Sequence, residues 1–262
     1  MIISVINCSD GRRSDSDVLC AIRAVNRQIA EDFAPYWGFA ASLRLEGRSA
    51  PNPSPQDLKQ NPQDLRGDAI LYLWDRVADV PNALGYHDQN NRGLPYGFVF
   101  TEISDRLHEP WSVTLSHEAL ELIGDANVNL LAAGPHPAVP TKTVYHWYEM
   151  CDAVQDETYT LDGVRVSNFV LPLYFTIGEQ VGARNDFLNR THNGKTLQSF
   201  GINPGGYVGF FNPETGQDET FSLRGDTRAQ QRLQIKSEAF QEAPRARRSA
   251  MYRTLPTRVS RR

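Results

Sequence analysis

Apolar residues in the first half of the chain recur in two kinds of pattern, which predict helices and strands in alternation. Between Val18 and Phe33 they are spaced three or four residues apart, as on one face of a helix that ends before Pro35. Short apolar or alternating runs predict buried or half-buried strands at residues 2–6, 39–45, 69–75 and 97–102.

A second helical pattern covers residues 111–123 and ends at Gly124. The segment before the last strand, residues 80–96, is rich in Gly, Asn and Pro, which indicates a loop or a sheet edge. The predicted order over the first half is therefore strand, helix, strand, strand, edge strand, strand, helix.

The second half of the chain has a different pattern, with short strands and weaker periodicity. Residues 157–175 predict two strands joined by a two-residue turn at Asp162-Gly163, a strong hairpin signal. Residues near 178–204 show no clear period. We therefore predict an α+β protein in which a mixed sheet with a backing helix and a site helix precedes a looser, β-rich part.

The chain shows no sharp linker, so the predicted parts are subdomains: residues 1–130, residues 131–244, and a basic tail at 245–262. The tail holds seven of the 27 basic residues and no acid, and its low apolar content predicts disorder. The rest of the chain carries 20 basic against 31 acidic residues, which argues against nucleic acid as the main partner.

The composition indicates a globular protein outside the membrane, since no run approaches the ~20 apolar residues that a membrane helix needs. The apolar run at the start, Ile2–Ile6, is too short for a secretory signal. The three cysteines are odd in number and show no CxxC spacing, which fits a reducing compartment. We therefore expect a cytoplasmic protein; its oligomeric state does not follow from the sequence.

The segment "SHEALELIGD", residues 116–125, carries the candidate chemistry. His117 and Glu121 are four residues apart, so on a helix they share a face and can bind one metal ion. Glu118 lies about 100° around the helix and is placed to act as the general base toward a metal-activated water. The alternative explanation is an acidic helix whose polar face is simply solvated.

A catalytic zinc site usually has three protein ligands and one open position, so a third ligand must come from elsewhere. The segment "YHWYEMCD", residues 145–152, predicts Glu149 as that ligand, because it brings several donors together after a loop. Asp152 and Asp125 are the alternatives, either as the third ligand or as carboxylates that orient one.

Two other histidines are candidates for roles at the site. His87, between Tyr86 and Asp88, is a candidate hydrogen-bond donor to a developing oxyanion, with an ordinary surface-loop histidine as the equal alternative. His146 would face Glu149 only on a helix. Its surroundings alternate as in a strand, which favours a histidine outside the ligand set.

The order of elements and the "SHEALELIG" segment resemble a zincin-type metallopeptidase domain, closest in arrangement to the metzincins. The resemblance implies an edge strand that holds extended substrate, and it matches Gly124 to the glycine where the metzincin helix ends and the chain turns. It matches Met150 to the methionine beneath the metal. Residues 1–175 also resemble a group of bacterial and phage proteins with an SHExxE segment, which brings no established activity.

The chain departs from the metzincin pattern, since Glu121 replaces the second histidine and Asn127 stands at the third ligand position. One imidazole with two carboxylates is a harder ligand set, so manganese, iron and calcium join zinc as candidate metals. The leading hypothesis is a metal-dependent hydrolase, a peptidase acting on a peptide or protein substrate. The rival is a non-catalytic binding protein that keeps the scaffold with a structural ion or an empty site.

Overall fold

The computed structural model describes residues 1–9, 11–47, 66–76, 87–89, 93–178 and 182–241. The strands are β1 (Ile2–Cys8), β2 (Ser42–Glu46), β3 (Ala69–Trp74), β4 (His87–Gln89), β5 (Pro95–Phe100), β6 (Leu131–His136), β7 (Val139–Trp147), β8 (Thr158–Leu161), β9 (Val164–Ser167), β10 (Tyr207–Asn212) and β11 (Gln217–Ser222). The helices are α1 (Asp15–Arg27), continued by a π-helix (Gln28–Phe33) and α2 (Ala34–Trp37), then α3 (Thr101–Arg106), α4 (Trp111–Gly124) and α5 (Thr227–Gln241). The predicted α+β class is confirmed.

The first half forms a five-stranded sheet with the strand order β2-β1-β3-β5-β4. Its strands are parallel except β4, which pairs antiparallel with β5 at the edge. The predicted order of elements is confirmed, with the short helix α3 added between β5 and α4. The sheet edge expected within residues 80–96 is the three-residue strand β4.

Side chains alternate between the two faces of this sheet, as the pleat of a strand requires. In β3, Leu71 and Leu73 point to the face covered by α1 and α4. Tyr72 points to the opposite face, together with Ile103 of α3 and Ile235 of α5. The first of these apolar clusters continues without a break into the second half of the chain, through residues such as Phe169 and Phe210.

The second half consists of a four-stranded antiparallel sheet, β11-β10-β7-β6, and the hairpin β8-β9. The predicted turn at Asp162-Gly163 is confirmed: both residues have positive φ, 49° and 80°, as a type I′ turn requires. Strands β6 and β11 and helix α5 were missing from the prediction. Helix α5 was not predicted because its buried face includes Arg232, between Ala229 and Ile235, so its apolar residues show little helical periodicity.

Buried polar side chains hold the irregular segment between β9 and β10. The amide of Asn168 donates to Glu157 (2.8 Å) and to Asp186 (2.9 Å), and Asn203 also donates to Glu157 (2.8 Å). His192 contacts the same Glu157 carboxylate at 2.6 Å. These side chains supply the hydrogen bonds that secondary structure would otherwise provide. The segment therefore needs no regular helix or strand, which explains why apolar residues near 178–204 show no periodicity.

One predicted feature, the basic tail at 245–262, lies outside the described residues. Within the described part of the chain, no helix has the length and apolar content to cross a membrane.

Helix α5 is fixed to the rest of the protein by a buried ion pair. Arg232 is 1% exposed, and its guanidinium donates to both carboxylate oxygens of Glu109, which follows α3 in the chain, and to Asp156 at 3.0 Å. Arg228 donates to the same two acids at 2.8 and 3.0 Å. Because Arg232 is fully buried, removal of its partner leaves a charge that is poorly compensated.

We expect Glu109→Ala to lower the free energy of unfolding by about 3 kcal/mol, the usual cost of breaking a buried ion pair on one side. Urea denaturation at pH 7 measures the change. The control is Glu31→Ala, which removes an exposed pair with Arg27 and should cost less than about 1 kcal/mol.

The stability difference between the wild type and Glu109→Ala should depend on pH. Burial opposes ionisation of Glu109, but the hydrogen bonds and charge of Arg232 outweigh it and hold the pKa of Glu109 below its ordinary value of 4.5. A carboxylate with a lowered folded-state pKa stabilises the fold above its unfolded pKa, and that stabilisation is lost as the pH falls. The difference between wild type and Glu109→Ala should therefore be full at pH 7 and shrink below about pH 4.5. An equal difference at pH 7 and pH 3 would contradict this.

Candidate metal centre

Helix α4 lies in the protein interior over almost its whole length. Every residue from Ser112 to Gly124 except Thr114 is buried, and His117, Glu118 and Glu121 are 4%, 2% and 3% exposed. A solvated acidic face, the alternative explanation of this segment, is therefore wrong for these three side chains. Buried ionisable groups require compensation by partners or a bound ion.

A buried hydrogen-bond network fixes the rotation of α4 next to His117. Ser116 Oγ donates to Gln28 Oε1 (2.7 Å), Gln28 Nε2 donates to the Ser167 carbonyl (2.8 Å), and the Ser167 N–H donates to Ser116 Oγ (3.0 Å). Gln28 begins the π-helix that follows α1, an irregularity frequently found at functional sites. The network thereby ties α4 to both α1 and β9.

The centre is built around the Nε2 atom of His117. Glu121 Oε2 lies 3.1 Å from it, as the four-residue spacing predicted, and Asp152 Oδ1 lies 3.4 Å from it. Glu118 Oε1 is farther away, at 4.0 Å. The backbone N–H of Cys151 donates to Glu121 Oε1 (3.1 Å) and so orients the second oxygen toward His117.

These distances suit ligands of a single ion. Two ligand atoms on one zinc ion lie roughly 3–3.6 Å apart, given metal–ligand bonds of about 2.0–2.2 Å. The separations of 3.1 and 3.4 Å from His117 Nε2 to Glu121 and Asp152 fall in that range. Glu121 and Asp152 therefore each lie at a metal-ligand separation from the imidazole nitrogen of His117.

Among the three residues weighed for the third position, Asp152 is the one placed against His117. Asp152 lies in a 3-10 turn after β7. Glu149 lies close enough for its charge to act on Glu121 and lines a neighbouring pocket. Asp125 instead accepts the backbone N–H groups of Asn129 (3.1 Å) and Leu130 (2.8 Å), and so fixes the chain after α4.

Cys151 is a member of the site that the sequence analysis did not assign. Donor atoms of His117, Glu121 and Cys151 lie within 4.8 Å of one another, and all three residues are buried. Its thiol donates to the His117 carbonyl at 3.8 Å, and burial raises the pKa of Cys151 well above 9.0. The available signal was its position beside Asp152 in the segment "EMCD".

The site carries an excess of buried negative charge. Burial, together with the charges of Glu149 and Asp152, raises the pKa of Glu121 to about 7 against the attraction of His117. Burial alone would lower the pKa of His117, but Glu121 and Asp152 raise it well above 6.5. We call Glu118, Glu121, Glu149 and Asp152 the acidic cluster. A divalent cation would offset its mutual repulsion.

Two pockets flank the centre. One, the α5 pocket, has a cavity volume of about 20 Å³, and His117, Glu118, Arg232 and Lys236 are among its lining residues. The other, of about 10 Å³, is lined by Asp152 together with Glu149, Tyr174 and residues of β7 and β10. His117 and Glu118 therefore border one small pocket, and Asp152 borders the other.

His146 and His87 are the other two candidate histidines. His146 lies in the strand β7, as the alternation of its surroundings predicts, is 2% exposed, and its Nε2 contacts the Pro135 carbonyl at 2.9 Å. The backbone of His87 belongs to β4, but its side chain lies outside the described residues, so its proposed role stays a prediction.

Gly124 ends α4 as predicted, but it does so for a reason other than the turn implied by the metzincin resemblance. Its φ is not positive, whereas that of Val128 is, at 50°. A Cβ atom on Gly124 would lie 1.9 Å from Cε of the fully buried Met150. The glycine therefore allows Met150 to pack closely against the end of the helix that carries the site.

Comparison with known proteins adds no assignment: no family model, no curated protein and no solved structure matches the chain.

Proposed function

We propose that the protein is a metal-dependent hydrolase, with a peptidase as the specific form. The observation that carries the proposal is a buried imidazole with two carboxylates at metal-ligand separations, beside a pocket lined by a third carboxylate. A charged, buried group of this kind next to open space is typical of catalytic sites.

In this proposal His117, Glu121 and Asp152 hold the ion, with Asp152 in place of Glu149, the ligand expected from sequence. A divalent metal supplies a water of lowered pKa and polarises a substrate carbonyl group. Zinc is the favoured ion because the site includes an imidazole and a nearby thiol. The two carboxylates keep manganese, iron and calcium as candidates.

Glu118 is proposed as the general base. Its carboxylate lines the α5 pocket, where a substrate amide would lie, and its Oε1 is 4.0 Å from His117 Nε2. Glu118 takes the proton from the attacking water as the water oxygen bonds to the carbonyl carbon. It then gives that proton to the leaving nitrogen as the carbon–nitrogen bond breaks.

The arrangement of elements supports the peptidase form by analogy. The resemblance to metzincins implies an edge strand and a last strand before the helix with His117 and Glu118, and β4 at the sheet edge, β5 and α4 follow in that order along the chain. An edge strand can pair with an extended peptide through its backbone. Since fold and reaction are separate properties, the analogy supports the substrate class and leaves the chemistry to the site.

One observation favours a second candidate, a non-catalytic binding protein. His117 contacts Glu121 and Asp152 directly, and although burial opposes a charge on the imidazole, these carboxylates raise the pKa of His117 and so favour a charge that offsets part of the acidic cluster. A site of this kind remains closed without an ion. In that case the scaffold would bind a partner and the centre would serve stability alone.

Hydrolysis of labelled casein and of a quenched-fluorescent peptide mixture distinguishes the two candidates. The protein is assayed as purified, after chelation, and after addition of zinc, manganese, ferrous iron or calcium. The proposed function predicts cleavage that chelation abolishes and one of these ions restores. Absence of cleavage with every ion, in a protein that stays folded, would favour the binding protein.

A further inference from the structure

Helix α5 brings a second set of charges to the α5 pocket. The pocket is lined on one side by His117 and Glu118 of α4 and on another by Arg232 and Lys236 of α5. The guanidinium of Arg232 is engaged by Glu109 and Asp156, so its role is to fix the helix. Lys236 is one turn farther along α5 and faces the same pocket.

Lys236 is held in place by Tyr207 of β10. Its Nζ donates to the Tyr207 hydroxyl at 2.6 Å and lies 5.0 Å from the centre of the same ring. Burial opposes ionisation of Asp152, but His117, the Lys236 charge and the Tyr207 hydroxyl lower its pKa, and its Oδ1 lies 3.4 Å from His117 Nε2. The ammonium charge acts on Asp152 and Glu118 across the site.

We propose that Lys236 is a further catalytic residue of the hydrolysis proposed above, on which this inference rests. It faces the substrate across the pocket from Glu118 and donates a hydrogen bond to the carbonyl oxygen as that oxygen gains negative charge.

The assignment follows from the division of charge in the pocket. The Glu118 carboxylate can accept a proton and pass it on, as a general base does. An oxyanion, by contrast, requires a hydrogen-bond donor that stays protonated. The Lys236 ammonium group carries three N–H donors, and it donates to Tyr207. During attack the carbonyl π electrons move to oxygen, where the Lys236 N–H stabilises them, and they return as the carbon–nitrogen bond breaks. Lys236 keeps its proton throughout: burial lowers its pKa, but the charges of Asp152 and Glu118 oppose that change.

Lys236→Met tests the proposal, because methionine keeps the length of the side chain and removes the charge. We expect the casein hydrolysis rate constant to fall by about 10²- to 10³-fold, the usual loss for one oxyanion donor. Lys236→Arg, which keeps a positive donor, should recover at least about a tenth of the wild-type rate. The matched control is Lys142→Met, since Lys142 pairs with Glu214 on the exposed surface.

Zinc affinity, measured by competition with a chromophoric chelator, separates a catalytic from a structural role. Loss of a positive charge near the ligands should leave zinc affinity of Lys236→Met equal to or higher than that of the wild type. A drop in zinc affinity together with a drop in rate would show that Lys236 only holds the site together and would overturn the proposal. A cleavage rate of Lys236→Met within threefold of the wild-type rate would overturn the proposal as well. A wild-type protein with neither zinc nor cleavage would overturn the proposed function, and this inference with it.

Discussion

Glu118→Gln should abolish hydrolysis and leave the metal in place. Glutamine has nearly the same shape as glutamate but cannot accept a proton from water. Loss of a general base typically costs about 10²- to 10⁴-fold in rate. We therefore expect casein cleavage by this variant to fall to the level of the metal-free protein.

Zinc content and thermal unfolding of the variant provide the control. Glu118 is 2% exposed, and its Oε1 lies 4.0 Å from His117 Nε2, farther than either proposed ligand. The variant should therefore bind one equivalent of zinc and unfold within a few degrees of the wild type. Full activity in Glu118→Gln would assign the base to another residue, and loss of zinc would place Glu118 among the ligands.

The second large effect is expected at Asp152. Asp152→Asn should weaken zinc binding by more than about 100-fold, since even a residue that only orients a ligand is typically worth 10- to 100-fold. Its neighbours are the matched controls: we expect less than about a tenfold loss in Glu149→Gln and in Cys151→Ser. Chelator competition measures all three variants under the same conditions.

The pattern among these variants decides the ligand set. A strong loss of zinc affinity in Asp152→Asn alone supports the ligand set His117, Glu121 and Asp152. In that set the two carboxylates lie 3.1 and 3.4 Å from the imidazole nitrogen Nε2. A strong loss of zinc affinity in Glu149→Gln would identify Glu149 as a ligand, as expected from the sequence. Strong loss in Cys151→Ser would identify a thiolate ligand, in agreement with the proximity of the three donors His117, Glu121 and Cys151.

The sequence predicted the first half of the fold well because its signals are local and strong. Helix α4 is bounded by Pro110 and Gly124 and has a clear apolar period, and its observed range is the predicted one. The inner strand β3 is a continuous apolar run because both faces of the sheet are covered there, whereas the edge strand β2 alternates. The contact between His117 and Glu121 could also be predicted, because residues four apart on a helix lie on the same face.

The contact of Asp152 with His117, on which the proposed third ligand rests, could not be predicted from the sequence, because it depends on how the chain turns after β7. The 3-10 turn at Asp152–Val154 directs Asp152 to His117, and Glu149 precedes that turn by three residues. Helix α5 was missed for a related reason: its buried face carries Arg232 and Lys236, whose partners come from distant parts of the chain. Polar burial of this kind leaves no apolar period to detect.

Metal content tests the central claim most directly. The protein is purified without added metal or chelator and examined by elemental analysis beside His117→Ala, which removes the nitrogen around which the centre is built. We predict about one equivalent of zinc in the wild type and none in the variant. No metal in either protein, and none after reconstitution with zinc, manganese, iron or calcium, would contradict the account and leave α4 as a buried ion-pair scaffold.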